Sequence, residues 1–244
     1  MDTTVAKGFS VLELLARSVG PLRLSAVADQ LGLAKSNTHR LLMTLTDLGY
    51  VTQEAETGRY IATLKTWELG AAIIAEHPAK RAAAPYLQDL HRLTSETVNL
   101  TVLDGLEVLY LDKILTTRPL RVSTQVGTRL VAAFTAAGKS ILAHEKDPAI
   151  LLAQTKATIE RAADLDIAAI LTELEAVRLR GYATNEGPNQ ILTIAAPILG
   201  RNDRAAAALS LSAPTERLNG KALAQAIEAV LSTSARIAET VGRI

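Results

Sequence analysis

The sequence predicts an α+β chain in two parts: a small helical module that ends in a β-hairpin, and a larger domain in which helices flank a mainly antiparallel sheet. Three observations predict it. Apolar residues recur at helical spacing in three short runs within residues 5–48. The period then switches to two on either side of a polar loop that contains Gly58. Beyond residue 96, alternating segments joined by turns such as Asp104–Gly105 read as paired strands, with helical runs between them.

Each element has its own local reason. Val5, Phe9, Leu12 and Leu15–Ala16 place a first helix over residues 5–16, stopped by Gly20–Pro21. Ser25 is the expected N-cap of a second helix over 26–31, with Val27, Ala28 and Leu31 on its apolar face and Gly32 just past its end. A third helix is expected from Lys35 to Leu48, apolar at Leu41, Leu42, Leu45 and Leu48 and closed by Gly49. Tyr50–Gln53 and Arg59–Ala62 are the hairpin strands. Thr66–Glu76 reads as a linker helix that ends at His77–Pro78, because proline disfavours helix at and before its own position. Downstream, Val98–Val102, Val108–Ile114, Leu120–Val122, Tyr182–Asn185, Leu192–Leu199 and Ala206–Ser212 read as strands. Thr135–His144, Pro148–Gln154 and Ile167–Arg180 read as helices, and Thr215 is the expected cap of a long final helix. The expected domains are 1–62, a linker helix over 63–77, and 78–244.

Composition excludes several classes. The 244 residues suit one large domain or two small ones, and 48% hydrophobic with 21% charged residues is a globular mix. The absence of cysteine rules out disulfides, thiolate zinc sites and a cysteine nucleophile. Lys and Arg total 26 against 25 Asp and Glu, so any nucleic-acid contact must come from where charge is placed. Aromatic residues are only 3%, which argues against a base-stacking platform for single strands. His39, His77, His91 and His144 lack the spacing of a helix-borne metal pair, so no metal and no cofactor is expected. The longest uncharged stretch, Gly187–Gly200, contains Pro188 and Asn189 and is too short to span a bilayer. The chain start lacks a charged-then-apolar leader, so the expectation is a cytoplasmic protein with no membrane contact. No carboxylate pair or Ser–His–Asp set has supporting local context, and the expectation is that the protein is not an enzyme.

Helix, tight turn, helix and hairpin is the winged helix-turn-helix pattern. Thr38, Leu41, Leu42 and Leu45 form the expected inner face of the third helix. Its outer face near the N-terminus carries Lys35, Ser36, Asn37, His39 and Arg40, which suit base edges or phosphates in a major groove. The loop Glu54–Arg59 is the candidate wing, with Arg59 its only cation. These six residues are the candidate contacts to double-stranded DNA. A helical bundle with a hairpin also serves as a plain dimerisation or protein-binding module, and the balanced charge does not separate the two readings.

Ala133–Ser140 ends like a phosphate-binding loop, G-x-x-x-x-G-K-S, but carries Ala133 in place of the first glycine. A nucleotide-binding enzyme using this segment is the alternative function. The small residues Thr135–Gly138 have a second use: at a helix start they let a ligand approach the backbone, where amides and the helix dipole favour a carboxylate. Ser210 and Ser212 share one strand face, since Leu209 and Leu211 take the other.

The run Gly32-Leu33-Ala34-Lys35-Ser36-Asn37-Thr38-His39-Arg40-Leu41-Leu42-Met43-Thr44-Leu45, followed by Gly49-Tyr50-Val51 and Gly58-Arg59-Tyr60, resembles the signature of IclR-type transcriptional regulators. The resemblance continues through Glu96-Thr97-Val98-Asn99-Leu100, Leu111-Asp112-Lys113, Val126-Gly127, Ala137-Gly138-Lys139, Arg180-Gly181-Tyr182, Ala195-Ala196-Pro197 and Leu209-Ser210-Leu211-Ser212, and so covers essentially the whole chain. It implies a winged helix-turn-helix, a linker helix that dimerises, and a C-terminal effector-binding domain of GAF- or profilin-like α+β fold. It also implies a dimer or tetramer on operator DNA, a small organic acid as effector, and control of a catabolic operon. Carried over by position, Leu120, Val122 and Leu130 form apolar walls, Ala136 and Ala137 offer amides, and Ser210 and Ser212 offer hydroxyls. Two positions depart from the family pattern: Asn185 stands where an acid is frequent and Thr193 where a cysteine is, in a shorter loop that has Gln190 in place of a glycine. Asn185 and Thr193 both donate hydrogen bonds without charge, which suits a more anionic or more hydrogen-bonding effector; loop drift is the other reading.

Overall fold

A computed structural model describes residues 3–119, 125–187 and 190–241. The chain divides into two compact units, Met1–Ala75 and Glu76–Ile244.

In the first unit, α1 (Thr3–Arg17), α2 (Leu24–Leu31) and α3 (Lys35–Asp47) are followed by β1 (Val51–Gln53), β2 (Tyr60–Ala62) and α4 (Lys65–Ala75). Val11, Leu12 and Leu15 of α1 pack with Val27, Leu41 and Leu42, and the hairpin adds Val51 and Tyr60 to the same core. The turn between α2 and α3 needs Gly32, whose φ of 62° lies in the left-handed region. Ser25 does not cap α2. The helix starts two residues earlier, at Leu24, with Arg23 in the cap position and no side-chain cap. The reason is tertiary: Leu22 exchanges backbone hydrogen bonds with Tyr60 at 2.9 and 2.8 Å, which pins the chain as extended and lets it turn helical directly afterwards. The hairpin pairs Val51 with Ala62 and Gln53 with Tyr60. Helix α4 buries none of its residues within this unit, and Trp67 (70%) and Ile73 (73%) stay exposed on it.

In the second unit a six-stranded antiparallel sheet has the order β5-β4-β3-β8-β7-β6. Its strands are β3 (Thr97–Asp104), β4 (Glu107–Ile114), β5 (Arg129–Val131), β6 (Ala183–Gly187), β7 (Ile191–Leu199) and β8 (Ala205–Pro214). The outermost strands are the shortest, three residues in β5 and five in β6. Strand alternation sends two sets of side chains to two faces. Val98, Leu100, Ile194, Ile198, Leu209 and Leu211 join α5 (Pro78–Thr94) and α9 (Gly220–Val241) in one core. Val108, Tyr110, Ala183, Ala195 and Ala208 face the other way. They share a second core with α6 (Ala136–Leu142), α7 (Pro148–Thr158) and α8 (Ile167–Arg180).

Several local expectations change here. Thr215 does not cap α9, which begins at Gly220. Its N–H instead donates to Gln190 O at 2.8 Å, prolonging the β7–β8 ladder, and residues 215–219 turn before the helix starts. Strand β5 was not anticipated. The expected strand Leu120–Val122 lies outside the described residues. The helical pattern that runs on to about Leu93 does form, as α5, with Pro85 inside it. Side-chain caps form at Thr135, which accepts from Gly138 N at 2.9 Å, and at Asp166, which accepts from Ala169 N at 3.0 Å.

Candidate functional site

The first candidate surface is built on α3. Thr38, Leu41 and Leu42 are buried, so the helix has one fixed orientation in its bundle. That orientation leaves Lys35, Ser36, His39 and Arg40 exposed, with Asn37 half-buried beside them. Arg40 Nη2 donates to Asn37 Oδ1 at 3.2 Å, one helical turn back, which restricts the guanidinium. Ser36, Asn37 and Arg40 also line a cleft of about 360 Å³ with Thr3, Thr4 and Lys7 of α1. The first helix therefore adds a cation and two hydroxyls that periodicity alone did not single out. Arg59 is exposed on the hairpin loop. The loop holds itself, with Glu54 N donating to Arg59 O at 2.8 Å and Gln53 Nε2 to Gly58 O at 2.9 Å.

The second candidate surface is the polar part of the sheet face that α6 partly covers. The register sets it out in rows. Asn185, Thr193, Ser212 and Thr97 pair in sequence across β6, β7, β8 and β3. The next row is Ala183, Ala195, Ser210, Asn99 and Lys113. Thr193 and Ser212 share a hydrogen bond of 2.9 Å, and Asn99 Nδ2 donates to Ser210 Oγ at 3.4 Å. Four residues expected from the sequence, Asn185, Thr193, Ser210 and Ser212, thus fall in two adjacent rows. Ala136 and Ala137 are buried in the cluster that also holds Ala195 and Ala208, next to Ser210 on that face. Leu130 pairs with Val108 on β4, two rows from Ser210. Leu120 and Val122 lie outside the described residues. Thr97, Asn99 and Lys113 were not singled out from the sequence, although all three stand inside the runs that carry the resemblance.

The phosphate-loop look-alike has a packing role instead. A Cβ on Gly138 would lie 2.1 Å from the Ala132 carbonyl oxygen, so the glycine permits α6 to cross the 3₁₀ turn Ala132–Phe134 at contact. Lys139 is 9% exposed and its Nζ lies 2.8 Å from Glu173 of α8, while Ser140 Oγ donates to Ala137 O at 2.8 Å. The lysine and serine that would serve a phosphate are both engaged by protein. Among the described residues no group of three His, Asp or Glu side chains could hold a metal ion, and no helix is long and apolar enough to cross a membrane.

Among the described residues Glu96 is the most buried carboxylate of the second unit's ion pairs, with a side chain 5% exposed. Arg217 holds it through Nε at 2.7 Å and Nη2 at 2.8 Å, and Arg118 adds Nη1 at 2.9 Å. The hydrogen bond to Glu96 raises the Arg217 pKa further. His144, just beyond α6, behaves oppositely. Burial pulls its imidazole below the ordinary value of 6.5, Arg178 pulls it lower, and Asp203 opposes both. A native pKa below the unfolded one makes protonation destabilising. The contribution is whole above pH ~6.5 and is lost as pH falls toward the native value. The melting temperature is therefore expected to fall between pH 7.5 and 5.5, and His144→Gln to flatten that slope. An unchanged slope in the variant would remove His144 from the account.

Residues 4–55 match the model of the IclR helix-turn-helix domain, and residues 71–239 match that of the bacterial transcriptional regulator IclR C-terminal domain. The protein belongs to the IclR family of transcriptional regulators. The IclR-family chain is 33% identical over 241 residues to the HTH-type transcriptional regulator KdgR of Escherichia coli (strain K12), covering 96% of this chain and 90% of that one. The crystal structure of the Thermotoga maritima IclR superposes with a TM-score of 0.80 at 25% identity, over 99% of this chain and 100% of that one. An IclR homolog from Microbacterium hydrocarbonoxydans, solved in complex with 4-hydroxybenzoate, shares the fold with a TM-score of 0.81 at 20% identity, covering 99% and 100%. KdgR is a transcriptional regulator by name, and the matching family models are those of DNA-binding regulators, in keeping with a DNA-binding, non-enzymatic role for this IclR-family member.

Proposed function

We propose that this IclR-family regulator reads operator DNA with α3 and the hairpin of residues 1–62 and senses a small organic acid on the polar sheet face of residues 78–244. The single observation that carries the proposal is the exposed polar ridge Lys35, Ser36, His39 and Arg40, held outward by the burial of Thr38, Leu41 and Leu42. Asn37 restrains the guanidinium of Arg40, and Lys7 and Arg59 extend the ridge toward phosphates. The acid would rest among Asn185, Thr193, Ser210 and Ser212, with the Ala136 and Ala137 amides close by and Leu120, Val122 and Leu130 as apolar walls. Support for that class of ligand comes from the hydroxyl-rich rows beside buried apolar side chains, a usual composition for a small-molecule pocket. The apolar residues left exposed on α4, Trp67, Leu69 and Ile73, support a homodimer joined there, and a two-fold dimer reads an inverted repeat. We place the protein in the cytoplasm, acting on a catabolic operon.

The test is a mobility-shift titration of the full chain with the intergenic DNA upstream of its own gene, at two salt concentrations. Binding is expected to weaken steeply with salt. Arg40→Ala and Asn37→Ala are each expected to cost about 1–3 kcal/mol of operator affinity with the circular-dichroism spectrum unchanged. Unaltered shifts for both variants would take the reading face away from α3. An acid that changes operator affinity must have its own affinity changed by DNA by the same factor.

A further inference from the structure

Asn99 lies mid-strand in β3 and is 2% exposed. Its Nδ2 donates to Ser210 Oγ, 111 residues away in sequence, while its Oδ1 is buried and accepts from no donor among the described residues. The other polar side chains in its surroundings are served by protein. Thr97 Oγ1 accepts from Thr116 N at 3.3 Å, Thr101 Oγ1 donates to Ala208 O at 3.4 Å, and Ser212 shares its bond with Thr193. Buried amide oxygens are nearly always satisfied, and one left without a donor destabilises the state that contains it. Leucine or valine at this position would avoid that cost. The exception therefore points to a donor supplied from outside the chain.

We propose that Asn99 Oδ1 is a specificity-determining acceptor that takes a hydrogen bond from a hydroxyl of the effector, so that the ligand is a hydroxy acid rather than a plain alkanoate or a 2-oxo acid. The inference rests on the reading of this face as the effector pocket. Geometry supports it: Asn99 shares a row with Ser210 and Ala195, directly beside the α6 cluster, so it lies among the residues assigned to the acid.

Calorimetric titration of the full-length protein with lactate, propionate and pyruvate, and with gluconate against hexanoate, tests this. In the wild type, lactate is expected to bind roughly tenfold tighter than propionate, or gluconate than hexanoate, because the deoxy analogue leaves the buried oxygen unpaired. In Asn99→Leu that gap is expected to close through loss of affinity for the hydroxy acid. Asn99→Asp keeps an acceptor of the same shape, so it is expected to retain the hydroxyl preference while weakening all the acids by like-charge repulsion. It serves as the test should Asn99→Leu fail to fold. Equal affinities within each pair, or a gap that survives in Asn99→Leu, would overturn the assignment. A preference for pyruvate would do so too, since it would turn the amide over and present Nδ2 to the ligand. Operator binding without binding of any of these acids would overturn the pocket reading itself, and this inference with it.

Discussion

Gly138→Ala is expected to unfold the second unit or nearly so. Within a helix this change usually stabilises, by up to about 1 kcal/mol. Here the added Cβ would sit 2.1 Å from the Ala132 carbonyl oxygen and 2.5 Å from its carbonyl carbon and Cα. All three atoms are backbone, so no rotamer change relieves the overlap. The 3₁₀ turn must move away from α6, and both are buried in the core that holds Val108, Ala195 and Ala208. Overpacking of ordinary side chains costs about 1–3 kcal/mol; against fixed backbone we expect about 3 kcal/mol or more, a large share of the 5–15 kcal/mol typical of a domain. Gly8 in α1 is the internal control, since its Cβ would meet nothing within 4 Å. Urea melts should show Gly8→Ala neutral or stabilising and Gly138→Ala severely destabilised. Equal stability of the two variants would refute the close-crossing account.

Glu96→Gln is the second large effect. The substitution keeps the shape of the side chain and removes the charge that two guanidinium groups share. Arg118 and Arg217 would then face each other across a buried amide. Arg118 is about half exposed and Arg217 a quarter exposed, so both regain some water, which moderates the loss. We expect about 2–4 kcal/mol, toward the lower end of what breaking a buried pair costs. The double variant Glu96→Gln, Arg217→Met should recover part of it, because one of the two mutually repelling guanidinium groups is gone. Added salt should stabilise Glu96→Gln more than the wild type by screening the two arginines. A melting temperature within a degree of wild type would show the cluster to be a surface ornament with no structural weight.

Where structure is decided locally it is legible in the residues. Ile167–Arg180 carries its own period and ends at Gly181, whose φ of 80° suits only glycine well. The hairpin and α3 are equally local. Ser25 and Thr215 mislead because capping depends on where the chain is held. The Leu22–Tyr60 bridge and the Thr215–Gln190 hydrogen bond set those boundaries, and both are long-range. Strand β5 is three residues long, too short to display alternation. At the candidate pocket, alternation alone put Ser210 and Ser212 on one face. Asn99 escaped notice because its significance comes from the register between β3 and β8, which no spacing in β3 encodes. The role of Lys139, the lysine of the phosphate-loop look-alike, is likewise hidden from local sequence. Glu173, its partner, lies 34 residues on, and local sequence cannot tell a structural ion pair from a phosphate ligand.

The brevity of β5 and β6 has a bearing on how the regulator behaves when crowded. An outer strand of three or five residues offers few free amides and carbonyls for another chain to copy. Cross-chain templating of the kind that seeds amyloid is thereby discouraged at the two outer strands.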